Sequence, residues 1–193
     1  GADTSKQRTK RLKKMTENSV KVSVVIPVHN AAPWLERCVE SVRAQTLRDL
    51  EIILVENRST DDSAALCDAY PAVDARIRVL HLEQAGLSRA RNAGLAVATA
   101  PYVGFIDSDD WITPDMYEKM LARAEETGAD MVGCDYCLTQ EHSMKTGQVV
   151  HNNSPEQAGS LDHDKYASLI LDSGSLVVKI YRRDIILGCE SRF

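Results

Sequence analysis

Short apolar runs alternate with amphipathic segments along most of the chain. The run from Val22 to Val28 is apolar and β-branched at nearly every position, as is typical of a parallel strand covered on both faces. Further strands are predicted at 51–55, 76–82, 102–106 and 130–138, and helices at 31–46, around 64–69, at 86–98 and at 114–127. Strands that alternate with helices predict an α/β fold with a parallel central sheet.

The pattern weakens after residue 138. Residues 139–159 are polar without a clear period and predict a loop or an irregular hairpin, while 161–172 predict a helix and 175–181 a strand. Ser59 or Thr60 is expected to cap the second helix, since small polar side chains accept hydrogen bonds from the first free amides of a helix. We expect one domain over residues 21–193.

Charge divides the chain into a basic tail, residues 1–20, and an acidic body. The 193 residues are 44% hydrophobic and 26% charged with a net charge of −5, which is ordinary globular composition. The basic side chains of the tail are Lys6, Arg8, Lys10, Arg11, Lys13 and Lys14. Such a tail is either a solvated linker or a contact with anionic lipid or nucleic acid. Of these partners we expect peripheral membrane contact and no nucleic acid.

The location follows from what the sequence lacks. It contains no stretch of eighteen apolar residues, so no transmembrane span is expected. Its five cysteines do not form the disulfide framework typical of a secreted domain. We therefore expect a cytoplasmic protein, with any membrane contact at the inner face.

Polar turns follow three of the predicted strands, at residues 29–30, 56–62 and 107–110. Ligands of parallel sheets bind beyond the carboxyl ends of the strands, where these turns lie. The first turn reads PVHNAAPWL and lacks the glycines of a dinucleotide-binding turn or a P-loop. This excludes a dehydrogenase or a P-loop enzyme, and it disfavours a nucleotidyltransferase, which would also carry a glycine-rich turn here.

The third turn, FIDSDDW, is acidic. Asp107 and Asp109 are two residues apart, so their carboxylates point to the same side of an extended segment. Paired carboxylates suit Mg²⁺ or Mn²⁺, which would neutralise a diphosphate leaving group. The alternative is that these acids are ordinary solvated turn residues that cap the next helix.

Three segments together resemble family 2 glycosyltransferases. They are VSVVIPVHNAAPWLERCVESVRAQTLRDLEIILVENRSTDDS, QAGLSRARNAGLAVATAPYVGFIDSDDWITPDMYEKM and KIYRRDII, in the order and spacing of that family. The resemblance covers about residues 21 to 193. It implies the GT-A fold, a nucleotide-diphospho-sugar transferase fold with an α/β/α sandwich. It also implies inverting, metal-dependent transfer from a donor such as a UDP-sugar to a glycan or lipid-linked acceptor, as in bacterial surface polysaccharide synthesis.

The resemblance also implies donor-binding roles. Pro27 and His29 lie where the family contacts the nucleobase and ribose, with His29 in place of the usual tyrosine or phenylalanine. Glu56 and Asn57 fall on the family's paired aspartates, of which the second reads uracil. Asn57 can donate as well as accept, so it reads uracil differently or accepts another base. Arg58 replaces the usual glycine.

Further implied roles concern the diphosphate. Arg89 or Arg91 corresponds to the family's basic residue near the pyrophosphate, and we favour Arg89, with Arg91 on a solvated face. Asp109 is the expected direct metal ligand, and Asp107 is expected to contact the metal or the sugar and ribose. Trp111 either packs over the sugar or belongs to the core.

The family's catalytic base is an aspartate in a Glu-Asp pair shortly after a segment resembling KIYRRDIILGCESRF. No such pair occurs after Lys179, so the base is expected beyond Phe193 and the domain is expected to be truncated at its C-terminal side. The substitutions at 56–58 leave an alternative, a catalytically inactive nucleotide-sugar-binding domain of the same fold.

Overall fold

A computed structural model describes residues 20–139, 147–151, 158–160 and 176–189. The strands are β1 (Val22–Val28), β2 (Leu50–Glu56), β3 (Ile77–His81), β4 (Tyr102–Phe105), β5 (Met131–Gly133), β6 (Tyr136–Cys137), β7 (Val149–Val150) and β8 (Lys179–Arg182). The helices are α1 (Ala32–Arg43), α2 (Ser63–Ala69), α3 (Leu87–Val97), α4 (Met116–Thr127) and α5 (Arg183–Gly188), with a 3-10 turn at Tyr70–Ala72.

Six strands form the central sheet, in the order β3-β2-β1-β4-β8-β5. The strands β1 to β4 are parallel, while β8 is antiparallel to both of its neighbours. The predicted α/β fold with a mostly parallel sheet is therefore confirmed. The sequence did not predict that β8 would separate β4 from β5, since nothing local to either strand specifies this pairing.

Helices cover both faces of the sheet, which explains why β1 is buried at all seven positions. On one face α1 contributes a stripe at helical spacing, and α4 packs beside it. The stripe of α1 is Leu35, Cys38, Val39 and Val42. On the other face α3 packs through Ala90 and Leu95 against Val25, Ile53 and Phe105. Burial on both faces is what the unbroken apolar runs of the sequence predict.

A glycine allows α3 to lie close to the sheet. A Cβ atom on Gly94 would overlap the side chain of Val25. The close approach brings the amino end of α3 to the edge of the sheet where β1 and β4 end, because the register of the helix on the strands is fixed by this contact.

Two predictions about local structure are wrong. The strand predicted at 130–138 is interrupted after Gly133, and its second part, β6, pairs with β7 in a separate two-stranded sheet. The second helix begins at Ser63, after Asp62, and has no side-chain cap of its own, so Ser59 and Thr60 do not cap it. Both residues contact the turn after β1 instead.

Two further predictions lie outside the described residues: the helix at 161–172 and nearly all of the tail, residues 1–19. Within the part of the chain that the structure describes, no helix has the length and apolar character needed to cross a membrane.

Candidate donor-binding site

The carboxyl ends of β1, β2 and β4 open into one cavity of about 500 Å³. The three strands are parallel neighbours, so the turns that follow them lie at one edge of the sheet. Five of the predicted site residues line the cavity: Pro27, His29, Asn57, Asp107 and Asp109. Glu56 and Arg89, which the sequence also predicted as site residues, do not line this cavity.

The cavity also includes residues that the sequence analysis missed. Trp34 lines it from the first turn of α1, and Gly86 and Leu87 line it at the start of α3. The sequence does contain one indication for Trp34. It is an aromatic residue directly before the apolar stripe of the helix that follows the first strand. Nothing local distinguishes Leu87, which is an exposed residue at a helix start.

The turns after β1 and β2 are bound to each other. The backbone N–H groups of Asn30, Ala31 and Ala32 donate to Ser59 Oγ, Ser63 Oγ and Asp61 Oδ2 at 3.1, 2.9 and 3.1 Å. Asn30 Oδ1 in return accepts the N–H of Thr60 at 2.8 Å. The first amides of α1 are thus capped by side chains of a different turn. Because these N–H groups already donate to side chains of the protein, a ligand must be contacted by other groups.

Asn57 connects the ends of β1 and β2 to the start of α3. It is 5% exposed, its N–H donates to the carbonyl of Val28, and its Oδ1 accepts the N–H of Gly86, both at 2.8 Å. Its carbonyl lies 2.8 Å from His29 Nδ1, which must donate because a carbonyl can only accept. A neutral His29 then has an acceptor at Nε2. The side-chain NH₂ of Asn57 remains as the donor that a ligand in the cavity can use.

Glu56 shapes the second turn rather than lining the cavity. Its Oε1 accepts the N–H of Ser59 at 2.6 Å, and its Oε2 lies 3.4 Å from His81 Nδ1. Burial opposes the charge of Glu56, but the hydrogen bonds from Ser59 and His81 outweigh it and lower the pKa of this carboxyl. The pKa of His81 is raised, chiefly by its 2.8 Å contact with Asp68.

The backbone conformation of Arg58 explains why the family usually has a glycine at this position. Its φ is +57°, in the left-handed region that glycine adopts without strain. The arginine is exposed and its Nη1 donates to the carbonyl of Glu83 at 2.7 Å. The turn therefore keeps a left-handed conformation even though the residue has changed.

The two arginines of α3 differ in surroundings. Arg89 is exposed and bonds to Gln84. Arg91 is only 17% exposed in its side chain and forms an ion pair with Asp107 at 3.1 Å. The prediction that Arg91 lies on a solvated face is wrong, because the helix turns position 91, not 89, toward the acidic turn. The pyrophosphate role of Arg89 stays a prediction.

The acidic turn follows β4 directly. Asp107 shares one carboxylate oxygen with Arg91, whereas the exposed carboxylate of Asp109 makes no hydrogen bond or ion pair with the described residues. Desolvation and the nearby charges of Asp109 and Asp107 raise the pKa of Asp110. The turn thus concentrates negative charge at the rim of the cavity.

The acidic turn offers two carboxylates to a divalent cation. Hard carboxylate oxygens suit Mg²⁺ or Mn²⁺, and Asp109 and Asp107 both line the cavity. Among the described residues, no three histidine, cysteine, aspartate or glutamate side chains converge on one point. The described residues would therefore supply two carboxylates, and the diphosphate and water would complete the coordination, as is usual for Mg²⁺.

Trp111 is covered by an arginine. The guanidinium of Arg37, on α1, lies 3.8 Å from the centroid of the Trp111 ring. Trp111 is half-buried and does not belong to either core cluster of the described residues. Of the two roles predicted for it, membership of the core is therefore wrong.

The family model of glycosyl transferase family 2 matches residues 23–181 of this sequence. The chain belongs to this family. The match extends from β1 through the acidic turn to β8, so it covers the central sheet of this family 2 chain except for the first residue of β1 and the last residue of β8.

Curated relatives of this family 2 chain include two bacterial proteins. The uncharacterized glycosyltransferase YibD of Escherichia coli strain K12 is 34% identical over 185 residues, which are 93% of this chain and 53% of YibD. The uncharacterized glycosyltransferase EpsJ of Bacillus subtilis strain 168 is 42% identical over 115 residues, 60% of this chain and 33% of EpsJ. The chain thus spans about a third to a half of the length of these relatives.

Among solved structures, Staphylococcus aureus TarS 1-349 in complex with UDP has a similar fold. The TM-score is 0.69 at 22% identity, over 90% of this chain and 50% of TarS. TarS 1-349 has also been solved with UDP-GlcNAc. At this identity the similarity establishes the fold, which is the GT-A type that the sequence predicts.

Proposed function

We propose that this chain binds the nucleotide-diphosphate-sugar donor, such as a UDP-sugar, of an inverting and metal-dependent transfer to a glycan or lipid-linked acceptor. The observation that carries the proposal is the cavity itself. It combines hydrogen-bonding groups at the ends of β1 and β2 with two carboxylates at the end of β4. A nucleoside diphosphate needs both, one set for its base and the other for a cation on its phosphates.

The nucleoside would bind to the part of the cavity that His29 and Asn57 line. Both are held by hydrogen bonds within the protein, which leaves His29 Nε2 as an acceptor and the Asn57 amide as a donor. Groups fixed before binding lose little conformational freedom when the ligand arrives, which favours affinity and specificity. TarS binds UDP and UDP-GlcNAc with the same fold, which supports a uridine donor here.

The diphosphate would lie at the acidic turn. Asp109, with Asp107, would hold Mg²⁺ or Mn²⁺, which supplies positive charge that stabilises the leaving diphosphate. Arg91 neutralises part of the charge of Asp107 through its ion pair. The sequence-based expectation of a base beyond Phe193 stays a prediction, as do the cytoplasmic location and the membrane contact of the basic tail.

A second candidate is a binding domain without transferase activity. The residues at 56–58 favour it, since the family has paired aspartates and a glycine there. The structure weakens this objection in one respect, because the turn keeps its left-handed residue at Arg58. Sugar transfer by a longer form of the protein that includes residues beyond Phe193 would rule this candidate out.

The test is calorimetric titration of UDP, with GDP and CDP for comparison, in the presence and absence of Mn²⁺. We expect metal-dependent binding of UDP that is lost in Asp109→Ala. The matched control is Asp62→Ala, which removes an exposed carboxylate that makes no capping hydrogen bond. Nucleotide binding whose affinity is the same with and without Mn²⁺, and the same in Asp109→Ala, would contradict the proposed role of the acidic turn.

A further inference from the structure

We propose that Arg37 is a positioning residue that holds the acidic turn in the conformation that accepts a divalent cation. The inference rests on the proposed function, since it concerns the same metal site. Arg37 belongs to α1 and is separated from the turn by about seventy residues of sequence, and no motif drew attention to it. Its contacts with the turn carry the argument.

Arg37 contacts the turn at two points. Its Nη2 donates to the backbone carbonyl of Asp109 at 3.0 Å, and its guanidinium lies 3.8 Å from the centroid of the Trp111 ring. The two contacts flank Asp110, so one planar group fixes the backbone on both sides of that residue. Stacking and directional hydrogen bonding together require the flat, forked guanidinium, and an ammonium group cannot reproduce them.

Neighbouring residues of α1 continue this attachment. Cys38 Sγ lies 3.6 Å from the carbonyl of Asp107, and Ser41 Oγ accepts the N–H of Ile112 at 3.2 Å. One face of α1 therefore holds the turn from its first residue to its last. Arg37 provides the central contact, next to the predicted metal ligand.

The charge of Arg37 is directed at a carbonyl rather than at a carboxylate. Three aspartates within four residues repel one another, and a nearby positive charge reduces this repulsion. Arg91 differs, because its ion pair occupies an oxygen of Asp107 that a cation would use. Arg37 stabilises the turn and leaves both carboxylate oxygens of Asp109 available. Its Nε is buried and has no hydrogen-bond partner among the described residues, so the contacts with Asp109 and Trp111 are the ones that orient its guanidinium.

The experiment measures Mn²⁺ affinity by electron paramagnetic resonance of the free ion, with and without UDP, for the wild type, Arg37→Ala and Arg37→Lys. We expect both variants to bind Mn²⁺ about tenfold more weakly, as when groups that orient metal ligands are removed. Trp111→Leu, which removes the stacking surface but leaves Arg37 intact, should weaken binding in the same direction. Arg123→Ala is the matched control, since the exposed side chain of this arginine of α4 pairs with Glu126 of the same helix.

Wild-type affinity in both Arg37 variants would overturn the inference and leave the proposed function intact. Full rescue by lysine would also overturn it, because charge alone would then suffice without the planar contacts. A wild-type protein that binds no Mn²⁺ either alone or with UDP would overturn the metal site and this inference together. Thermal melting of each variant identifies loss of folding, and Arg37→Lys keeps the test decisive if Arg37→Ala does not fold.

Discussion

The side-chain oxygen of Asn57 accepts a hydrogen bond from the backbone N–H of Gly86 at 2.8 Å. This bond joins the end of β2 to the start of α3 across the cavity. Because the oxygen is engaged, the polarity of the amide in the cavity is fixed, with the NH₂ group facing any ligand. The contact therefore affects both stability and base recognition.

For stability, we expect Asn57→Ala to lower the free energy of unfolding by about 1–3 kcal/mol. The substitution leaves the Gly86 N–H without its acceptor at a partly buried position, and an unsatisfied buried donor carries a cost of this order. Urea denaturation measures the change. Asn57→Asp keeps an acceptor for Gly86 and serves as the control, and an equal loss in both variants would contradict this explanation.

For recognition, Asn57→Asp should shift nucleotide preference toward UDP relative to CDP. The carboxylate keeps the bond to Gly86 but replaces the NH₂ donor with a second acceptor. Uracil offers a donor at N3 where cytosine offers an acceptor, so the ratio of the two affinities should change about tenfold, the equivalent of one hydrogen bond. Competition titrations with both nucleotides measure this ratio. An unchanged ratio would show that Asn57 does not contact the base.

Replacing Arg58 with glycine should stabilise the protein by about 1 kcal/mol. The residue has φ of +57°, and the left-handed region is unfavourable by about that amount for residues other than glycine. Chemical denaturation of Arg58→Gly measures the gain. The matched control is Asn30→Gly, since Asn30 has φ of +49° but its side chain also holds the N–H of Thr60. We expect this control to lose stability, and a gain in both would mean that the Asn30 contact contributes nothing.

Gly94→Ala should lower the free energy of unfolding by about 1–3 kcal/mol, because overfilling a packed interface displaces its neighbours. The added methyl group would overlap Val25, at the contact between α3 and β1. Gly188→Ala is the control, since a Cβ there meets no atom within 4 Å. Adding Val25→Ala to Gly94→Ala should recover part of the loss, and a purely additive result would contradict direct overlap.

Stability should depend on pH through His81. Its pKa is raised in the folded protein, first by the hydrogen bond to Asp68 and then by Glu56. The charged form is thus favoured by folding, so its contribution is complete below the unfolded pKa, about 6.5, and is lost as pH rises through the higher folded value. Unfolding measured from pH 5 to pH 9 should show this decline. His81→Gln should flatten the curve over that interval, and a curve that His81→Gln leaves unchanged would contradict the assignment.

Local patterns predicted the elements well where burial alone determines them. The bounds of β1 agree at both ends, because an apolar strand covered on both faces leaves an unbroken run in the sequence. The polar turns at the strand ends also lie together as predicted, since parallel strands share the direction in which they end. The glycine in the family's second turn has a physical counterpart in the positive φ of Arg58.

Contacts between distant segments could not be predicted in this way. The capping of α1 by Ser59, Asp61 and Ser63 depends on how two turns meet, and single-helix rules assigned Ser59 to the wrong helix. The choice between Arg89 and Arg91 depends on the rotation of α3 on the sheet, which Gly94 and Val25 set. In each case the deciding partner lies far away in the sequence.

The position of β8 between β4 and β5 has a consequence for folding during synthesis. A strand near the end of the chain, Lys179–Arg182, fills the gap between β4 and β5. While the ribosome is still adding residues before 179, the strands up to β4 can assemble, but β8, with which β5 pairs in the described part of the chain, is not yet made. The nascent polypeptide must therefore keep the edge of β4 available until Lys179–Arg182 has emerged. A nascent chain stalled before that point would expose an unpaired strand edge to other proteins.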